Sequence, residues 1–187
     1  MMQNLWQQKL GLKYSSDILD IIQFGSSIKS ENPNDLDIAV IYNKMSVKEQ
    51  LLESQKIKKQ IQEKTKLSVH IHSFDLYSLF DESNFSKEGI LFEGKSLISG
   101  DSFALHLGLL PKIQISYSLI ELPKKDKIRF NYLLSGKGGE YSLLKKYGGK
   151  LIKPGLIEIN PEDEQVFIKK MKQITDKITI TKIFIII

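Results

Sequence analysis

The first half of the chain alternates short apolar runs with polar segments. DILDIIQF (17–24) and DLDIAVIY (35–42) are rich in β-branched and other apolar residues and predict two strands. Between them, GSSIKSENPN is rich in Gly, Ser, Asn and Pro and predicts a loop without helix. LSVHIHSF (67–74) alternates apolar and polar residues, which predicts a third strand with one polar face.

A helix is predicted between the second and third strands. In SVKEQLLESQKIKKQIQEKTK (46–66) the apolar residues recur at helical spacing. Ser46 at its start and Glu49 three residues later form the signature of a capping box. A helical turn around DLYSLFDES and a short strand GILFEG (89–94) complete a first unit that mixes strands and helices.

The chain changes character near residue 100, where we place a domain boundary. The terminal ITITKIFIII combines high β propensity with a single charge, so we expect a strand buried in a sheet or paired with a second copy. The fold prediction is therefore an α/β (α+β) unit of residues 1–100 followed by a small basic α+β unit of residues 101–187. In the second unit we expect, in order, a helix and a strand before Pro123, a helix or strand in KKDKIRFNYLLSG, a short helix ending at Gly148, a strand LIEI, a helix after Pro161 and the terminal strand.

The composition excludes several kinds of site and shows an uneven distribution of charge along the chain. The 187 residues include no Cys, which excludes disulfides, thiolate zinc sites and cysteine nucleophiles. No apolar run reaches the roughly 18 residues of a membrane helix, and no secretory signal is visible, so we expect a cytoplasmic protein without a membrane partner. The first 100 residues carry 12 Lys and Arg against 13 Asp and Glu, whereas residues 101–187 carry 15 against 9. This asymmetry fits a polyanionic partner or, equally, a solvated lysine surface.

The segment FGSSIKSENPNDLDIAV (24–40) holds the strongest candidate chemistry. Asp35 and Asp37 are two positions apart on one predicted strand, so their carboxylates leave the same face and can converge on a cation. Two carboxylates with water and phosphate oxygens suit Mg²⁺. Gly25 allows a phosphate to approach the backbone, and the Ser26 hydroxyl and nearby N–H groups can donate to it. Nucleotidyl transfer requires a phosphate-binding turn beside carboxylates that hold a metal ion.

This segment resembles the signature of the DNA polymerase beta superfamily of nucleotidyltransferases, in its minimal nucleotidyltransferase branch. The shared pattern is a hydrophobic residue, Gly-Ser, about ten residues, then Asp-hydrophobic-Asp-hydrophobic. KEGILFEG (87–94) is similar to a stretch that often closes such domains. The resemblance covers about residues 17–100 and implies a polymerase-beta-like domain with a mixed sheet. It also implies roles for four residues: NTP binding by Gly25 and Ser26, and metal binding by Asp35 and Asp37.

The sequence departs from the family pattern at the third metal ligand. The resemblance implies a carboxylate on the third strand, but His70 occupies that position, and Asp75 lies five residues further along. Neutral imidazole is a poor ligand for Mg²⁺ and a fair one for Mn²⁺ or Zn²⁺. His70 is therefore compatible with a general base, with a site for a softer metal, or with a site that binds nucleotide without catalysis. The alternative is that His70 and His72 have no role in a site and are simply exposed on the polar face of the strand.

The basic segment of residues 122–150 is a candidate nucleic-acid contact. Its Lys and Arg residues are interleaved with Phe and Tyr, an arrangement that can combine phosphate contacts with base stacking. The alternative is that the aromatic residues belong to a core that the lysines solvate. The residues assigned to nucleic-acid binding are Lys124, Lys125, Lys127, Arg129 and Lys137.

Two functional hypotheses follow. The first is a nucleotidyltransferase, dependent on Mg²⁺ or alternatively Mn²⁺, that transfers NMP from an NTP such as ATP to a hydroxyl of an RNA or protein acceptor. Its catalytic set is Asp35, Asp37 and His70. The second is a catalytically degenerate module of the same fold that binds nucleic acid, nucleotide or a partner protein, as in the antitoxin-like members of the branch. The missing third carboxylate favours the module, whereas both aspartates and the Gly-Ser turn favour the enzyme.

Overall fold

The computed structural model describes residues 5–8, 10–30, 32–137 and 142–187. The chain divides into two compact units, the first ending at Gly108 and the second running from Leu109 to Ile187. None of the helices in the described ranges combines the length and the apolar composition that crossing a membrane requires.

The first unit is built on a four-stranded mixed sheet. Strand β1 is antiparallel to β2 and β4, whereas β2 is parallel to β3, and the strand order is β3-β2-β1-β4. This arrangement confirms a mixed α/β architecture. After a 3-10 turn at Leu5–Gln7, the elements are β1 (Ile18–Phe24), α1 (Ser26–Lys29), β2 (Asp35–Tyr42), α2 (Val47–Gln62), β3 (Ser68–Asp75), α3 (Leu76–Phe80), α4 (Lys87–Glu93), β4 (Lys95–Ser96) and α5 (Phe103–His106).

The main core of this unit lies on one face of the sheet. Leu36, Ile38 and Val40 alternate along β2 and are fully buried, together with Ile57 and Ile61 of α2. The predicted capping box of α2 is present, with the Ser46 side chain accepting from the Glu49 N–H. Because side chains alternate along a strand, the residues between the buried ones point to the opposite face, and this places the two aspartates of β2 away from the core.

Two local predictions for this unit were wrong. The Gly-Ser segment predicted as loop forms the single helical turn α1, closed by a hydrogen bond from the Ser30 N–H to the Ser26 carbonyl at 2.8 Å. The predicted strand 89–94 is instead part of α4, because three consecutive apolar residues are buried there on a helix. A short apolar run does not distinguish a buried helix from a strand. Gly94 ends α4 where a Cβ would lie 2.7 Å from the Ile22 side chain.

The predicted boundary near residue 100 differs from the observed one because α5 belongs to the first unit. Phe103 and Ala104 of this helix are buried. His106 Nδ1 lies 2.9 Å from Oδ2 of Asp20 on β1. Oδ1 of the same carboxylate accepts from the Ser96 hydroxyl at 2.6 Å and from the Ile21 N–H at 2.8 Å. This cluster, which we call the Asp20–His106 anchor, joins β1 to the chain around β4 and α5.

The second unit has an antiparallel sheet in the order β6-β7-β5-β8. The segment KKDKIRFNYLLSG, which was predicted to be either a helix or a strand, forms the helix α6 and ends at Gly136. The terminal strand β8 lies at the sheet edge with Ile185 and Ile186 exposed, so the expected burial is incomplete. The elements are β5 (Leu109–Tyr117), α6 (Lys124–Ser135), α7 (Leu143–Lys146), β6 (Lys150–Lys153), β7 (Leu156–Ile159), a 3-10 turn Pro161–Asp163, α8 (Glu164–Met171) and β8 (Ile178–Ile186).

Candidate metal centre

The pairing of β2 with β3 brings the predicted site residues together. In the parallel register Asp37 lies beside His70, Asp35 beside Ser68, and Ala39 beside His72. Side chains two positions apart share a face, so both aspartates and both histidines project from the side of the sheet opposite the main core. The predicted strand pattern therefore places His70 next to the two carboxylates.

The geometry of this group suits a cation. Asp35, Asp37 and His70 each offer a ligand atom, and these atoms lie within 4.8 Å of one another. His70 Nδ1 is 3.9 Å from Oδ2 of Asp35 and 3.9 Å from Oδ1 of Asp37. His72 Nε2 is 3.6 Å from the same Asp37 oxygen. All three separations exceed hydrogen-bond distance.

The carboxylates of the centre are partly open to solvent. The Asp35 side chain is 37% exposed and the Asp37 side chain 25%. In the described part of the chain, nitrogens of His70 and His72 lie near these carboxylates, and all of them lie beyond hydrogen-bond distance. Two neighbouring carboxylates without donors repel each other, and a bound cation relieves that repulsion. Asp35, Asp37 and His70 together offer oxygen and imidazole nitrogen donors that could hold a metal ion.

Neighbouring side chains fix both imidazole rings. Ser68 Oγ lies 3.4 Å from His70 Nε2, on the side of the ring away from the nitrogen that faces the aspartates. His72 contacts the Phe24 ring edge-on at a centroid distance of 5.5 Å and stacks with the Phe74 ring at 6.5 Å. These neighbouring residues were not predicted to have a role. Ser68 and Phe74 share period-two spacing with the histidines on one strand, whereas Phe24 lies on another strand and carries no such signal.

Gly25 and Ser26 are also placed beside the centre. Phe24 pairs with Asp37 in the antiparallel register, so the Gly-Ser turn follows directly next to this aspartate. Gly25 has φ 75° and ψ −150°, a conformation essentially restricted to glycine. A Cβ there would lie 2.9 Å from Oδ2 of Asp37. Ser26 is exposed, whereas Ser27 is buried and accepts a hydrogen bond from Gln23 Nε2 at 3.1 Å. The first serine is thus accessible to a ligand, and the second supports the turn.

Asp75 lies away from the centre, as the sequence predicted. It is the last residue of β3, pairs with Tyr42, and caps α3 through a hydrogen bond from the Ser78 N–H at 2.6 Å. That hydrogen bond lowers the pKa of the Asp75 carboxyl. It therefore acts as a helix cap and does not supply a third carboxylate to the group.

An open depression of about 590 Å³ begins at His72 and extends over α3 and the loop after it. Two aromatic side chains on its lining are almost fully solvated: Tyr77 is 89% exposed and Phe85 98% exposed. Neither residue was predicted to belong to a site. Single exposed aromatic residues are common on protein surfaces, so the sequence carries no signal for a site at these positions.

The basic residues assigned to nucleic-acid binding lie on or just after α6. Lys124, Lys125, Arg129 and Lys137 are exposed. Lys127 donates to the Ile120 carbonyl at 2.9 Å, so part of its hydrogen-bonding capacity is used within the unit. Phe130 is fully buried, as expected for a core residue, whereas Tyr132 is exposed, as expected for a residue that stacks on a base. Tyr141 lies outside the described residues.

Comparison of the chain with protein-family models, with curated proteins and with solved structures found no match. The family assignment therefore remains a prediction from the sequence motif. The geometry supports a coarser statement: Asp35, Asp37 and His70 form a group that can hold a metal ion.

Proposed function

We propose that the protein is a metal-dependent nucleotidyltransferase that moves NMP from an NTP to a hydroxyl of an RNA or protein acceptor. The observation that carries this proposal is the position of the Gly25-Ser26 turn directly beside Asp37, which itself adjoins Asp35 and His70. A phosphate-binding turn and a carboxylate pair on adjacent strands are the two parts that this chemistry needs. The proposal includes a cytoplasmic location and Mg²⁺ or Mn²⁺ as cofactor.

Each part of the site has a distinct task in this proposal. Asp35 and Asp37 hold the divalent cation, which when bound supplies positive charge against the phosphoryl oxygens and the attacking oxygen. The backbone N–H groups of Gly25 and Ser26, with the Ser26 hydroxyl, donate to the triphosphate. The acceptor oxygen forms a bond to the α-phosphorus while the α–β phosphoanhydride bond breaks. Pyrophosphate leaves with the electron pair of that bond, and the proton of the acceptor hydroxyl passes to solvent water.

The second unit contributes the acceptor-binding surface in this proposal. Lys124, Lys125, Arg129 and Lys137 are exposed and positively charged, which suits the phosphates of an RNA acceptor. Exposed Tyr132 lies on the same helix and can stack on a base.

One observation favours a second candidate function. His70 stands where a third carboxylate is expected, and it places an imidazole beside the aspartates. A site altered in this way can retain nucleotide binding and lose transfer. The second candidate is therefore a binding module of the same fold that takes nucleic acid, nucleotide or a partner protein.

Labelling with α-labelled NTPs separates the two functions. The purified full-length protein is incubated with each NTP, RNA and protein extract, in Mg²⁺ and separately in Mn²⁺. Asp35→Ala/Asp37→Ala is the test variant, and Asp101→Ala, an exposed aspartate of the same unit, is the matched control. We expect label on an RNA or protein acceptor that disappears in the double variant and persists in the control. Nucleotide or RNA binding without label in either metal would contradict the enzyme and support the module.

A further inference from the structure

We propose that Asp35, Asp37, His70 and His72 bind one transition-metal dication, of the Mn²⁺, Co²⁺ or Zn²⁺ class, in preference to Mg²⁺. The metal centre then has two imidazole ligands and two carboxylate ligands, and His72 is a ligand in its own right. This inference deepens the proposed function and rests on it for the role of the metal in turnover. Binding itself is measurable without turnover.

The two imidazoles converge on one carboxylate oxygen. His70 Nδ1 lies 3.9 Å and His72 Nε2 3.6 Å from Oδ1 of Asp37. Metal–ligand bonds of about 2.1 Å hold neighbouring ligand atoms roughly 3 to 3.5 Å apart. The observed separations exceed this spacing by a few tenths of an ångström. The ligand atoms of Asp35, Asp37 and His70 already lie within 4.8 Å of one another, and rotation of the His72 side chain about the Asp37 oxygen that it adjoins brings its Nε2 onto the same cation.

Both rings present a nitrogen to the centre without needing a large reorientation. When the Ser68 oxygen accepts from the Nε2–H of His70 at 3.4 Å, the lone pair of His70 is on Nδ1, the nitrogen that faces the aspartates. His72 contacts the rings of Phe24 and Phe74, and its Nε2 lies 3.6 Å from Oδ1 of Asp37.

The donor set decides which cation is preferred. Mg²⁺ favours oxygen ligands, keeps several of its waters and gains little from imidazole. Imidazole nitrogen binds Mn²⁺, Co²⁺ and Zn²⁺ progressively better within the order that nitrogen and oxygen sites generally follow. A histidine in place of a third carboxylate also removes one negative charge, which weakens electrostatic attraction for every dication. The metals that bind imidazole well recover that loss, whereas Mg²⁺ does not.

The test is calorimetric titration of chelator-treated full-length protein with MgCl₂, MnCl₂, CoCl₂ and ZnCl₂, with Co²⁺ absorption recorded in parallel. We expect Mn²⁺ to bind at least tenfold more tightly than Mg²⁺, and Co²⁺ to show visible bands of nitrogen-containing coordination. His70→Ala and His72→Ala should each weaken Mn²⁺ binding tenfold or more, whereas His70→Asp should reduce the Mn²⁺ preference over Mg²⁺ without abolishing it, because His72 remains. Both histidines are partly exposed, so these variants are expected to fold.

Asp101→Ala, which removes an exposed carboxylate outside the centre, is the matched control, and circular dichroism checks the fold of every variant. Equal affinity for Mg²⁺ and Mn²⁺, or Mn²⁺ binding unchanged in both His70→Ala and His72→Ala, would overturn the inference. Failure of the proposed function gives a different result, namely selective, histidine-dependent Mn²⁺ binding without label transfer. Label transfer with no preference between the two metals would overturn the inference alone.

Discussion

Two clusters of aspartate and histidine lie in the same unit and differ in what their carboxylates contact. In the Asp20–His106 anchor the Asp20 side chain is 3% exposed and accepts from Ile21, Ser96 and His106 within hydrogen-bond distance. In the metal centre the carboxylates are partly exposed, and the imidazole nitrogens lie beyond hydrogen-bond distance from the carboxylate oxygens. Similar residue types thus form a closed structural contact in one place and an open site in the other.

The difference shows why residue type alone does not mark a functional site. A buried carboxylate whose oxygens are already hydrogen-bonded has little capacity left for a ligand. Neighbouring carboxylates without donors keep both their charge and their lone pairs available. We therefore expect substitutions in the anchor to change the free energy of unfolding, and substitutions in the centre to change ligand binding.

The largest expected effect is on stability, in the anchor. Asp20→Ala removes the acceptor for the Ser96 hydroxyl and for the His106 imidazole, two groups that hold β4 and α5. Loss of a buried carboxylate with several partners costs about 3 kcal/mol of unfolding free energy. Urea denaturation followed by circular dichroism measures this loss. A change below about 0.5 kcal/mol, typical of surface sites, would show that the anchor is not structural.

The second prediction concerns stabilisation by metal. At a free Mn²⁺ concentration 100 times the dissociation constant, the wild-type protein should gain about 2.7 kcal/mol of unfolding free energy. Asp37→Asn should lose most of that gain, because its carboxylate lies at the middle of the centre. Without metal we expect the variant to be at least as stable as wild type, since the substitution removes one of two neighbouring carboxylate charges and no hydrogen bond to Asp37 is found among the described residues. Denaturation with and without Mn²⁺ measures both values. A metal-induced gain that survives in Asp37→Asn would place the bound ion elsewhere.

The third prediction links the turn to the centre. Gly25→Ala forces a side chain into a conformation that costs about 2 kcal/mol, and its Cβ meets the Asp37 carboxylate. We expect both lower stability and weaker Mn²⁺ binding. Gly11→Ala is the control, because Gly11 also has positive φ but has no atom within 4 Å of its added Cβ. Equal Mn²⁺ affinity in the two variants would show that the Gly25 turn does not affect metal binding at the centre.

The smallest expected effect is a pH dependence at Asp75. Hydrogen bonding to Ser78 lowers the pKa of this carboxyl from its ordinary value of 3.8. The associated stability is therefore complete above that value and is lost as the pH falls through the lower, folded-state pKa. Asp75→Asn keeps a capping side chain but cannot titrate, so its stability should fall less than that of wild type under acid conditions. Parallel acid denaturation curves for the two proteins would contradict this assignment.

The sequence predicted the parts of the site that depend on local spacing. The period-two pattern of Asp35 and Asp37 on one strand, and of His70 and His72 on another, by itself implies a polar face on each strand. The capping box at Ser46 similarly predicts the start of α2 within one residue. The family assignment and the nucleotidyl-transfer chemistry go beyond these spacings and stay predictions.

Features set by distant contacts were not predictable from one sequence. Asp20 and His106 are 86 positions apart, and neither position carries a local signal for the other. The α4 segment was assigned as a strand because burial on several sides removes the periodicity that separates helix from strand. The helix α1 is a single turn with few hydrogen bonds. Turn-forming residues can adopt it, although the same residues predict a loop.

The central claim is that the open cluster binds a divalent cation and the closed one does not. The most direct test is a crystal structure of the full-length protein grown with Mn²⁺, with the metal located by anomalous scattering. We predict a peak bonded to carboxylate oxygens of Asp35 and Asp37, to His70 Nδ1 and to His72 Nε2, and no peak at Asp20. An absence of metal at the two β2 aspartates under saturating Mn²⁺, or a peak only at Asp20 and His106, would contradict the account.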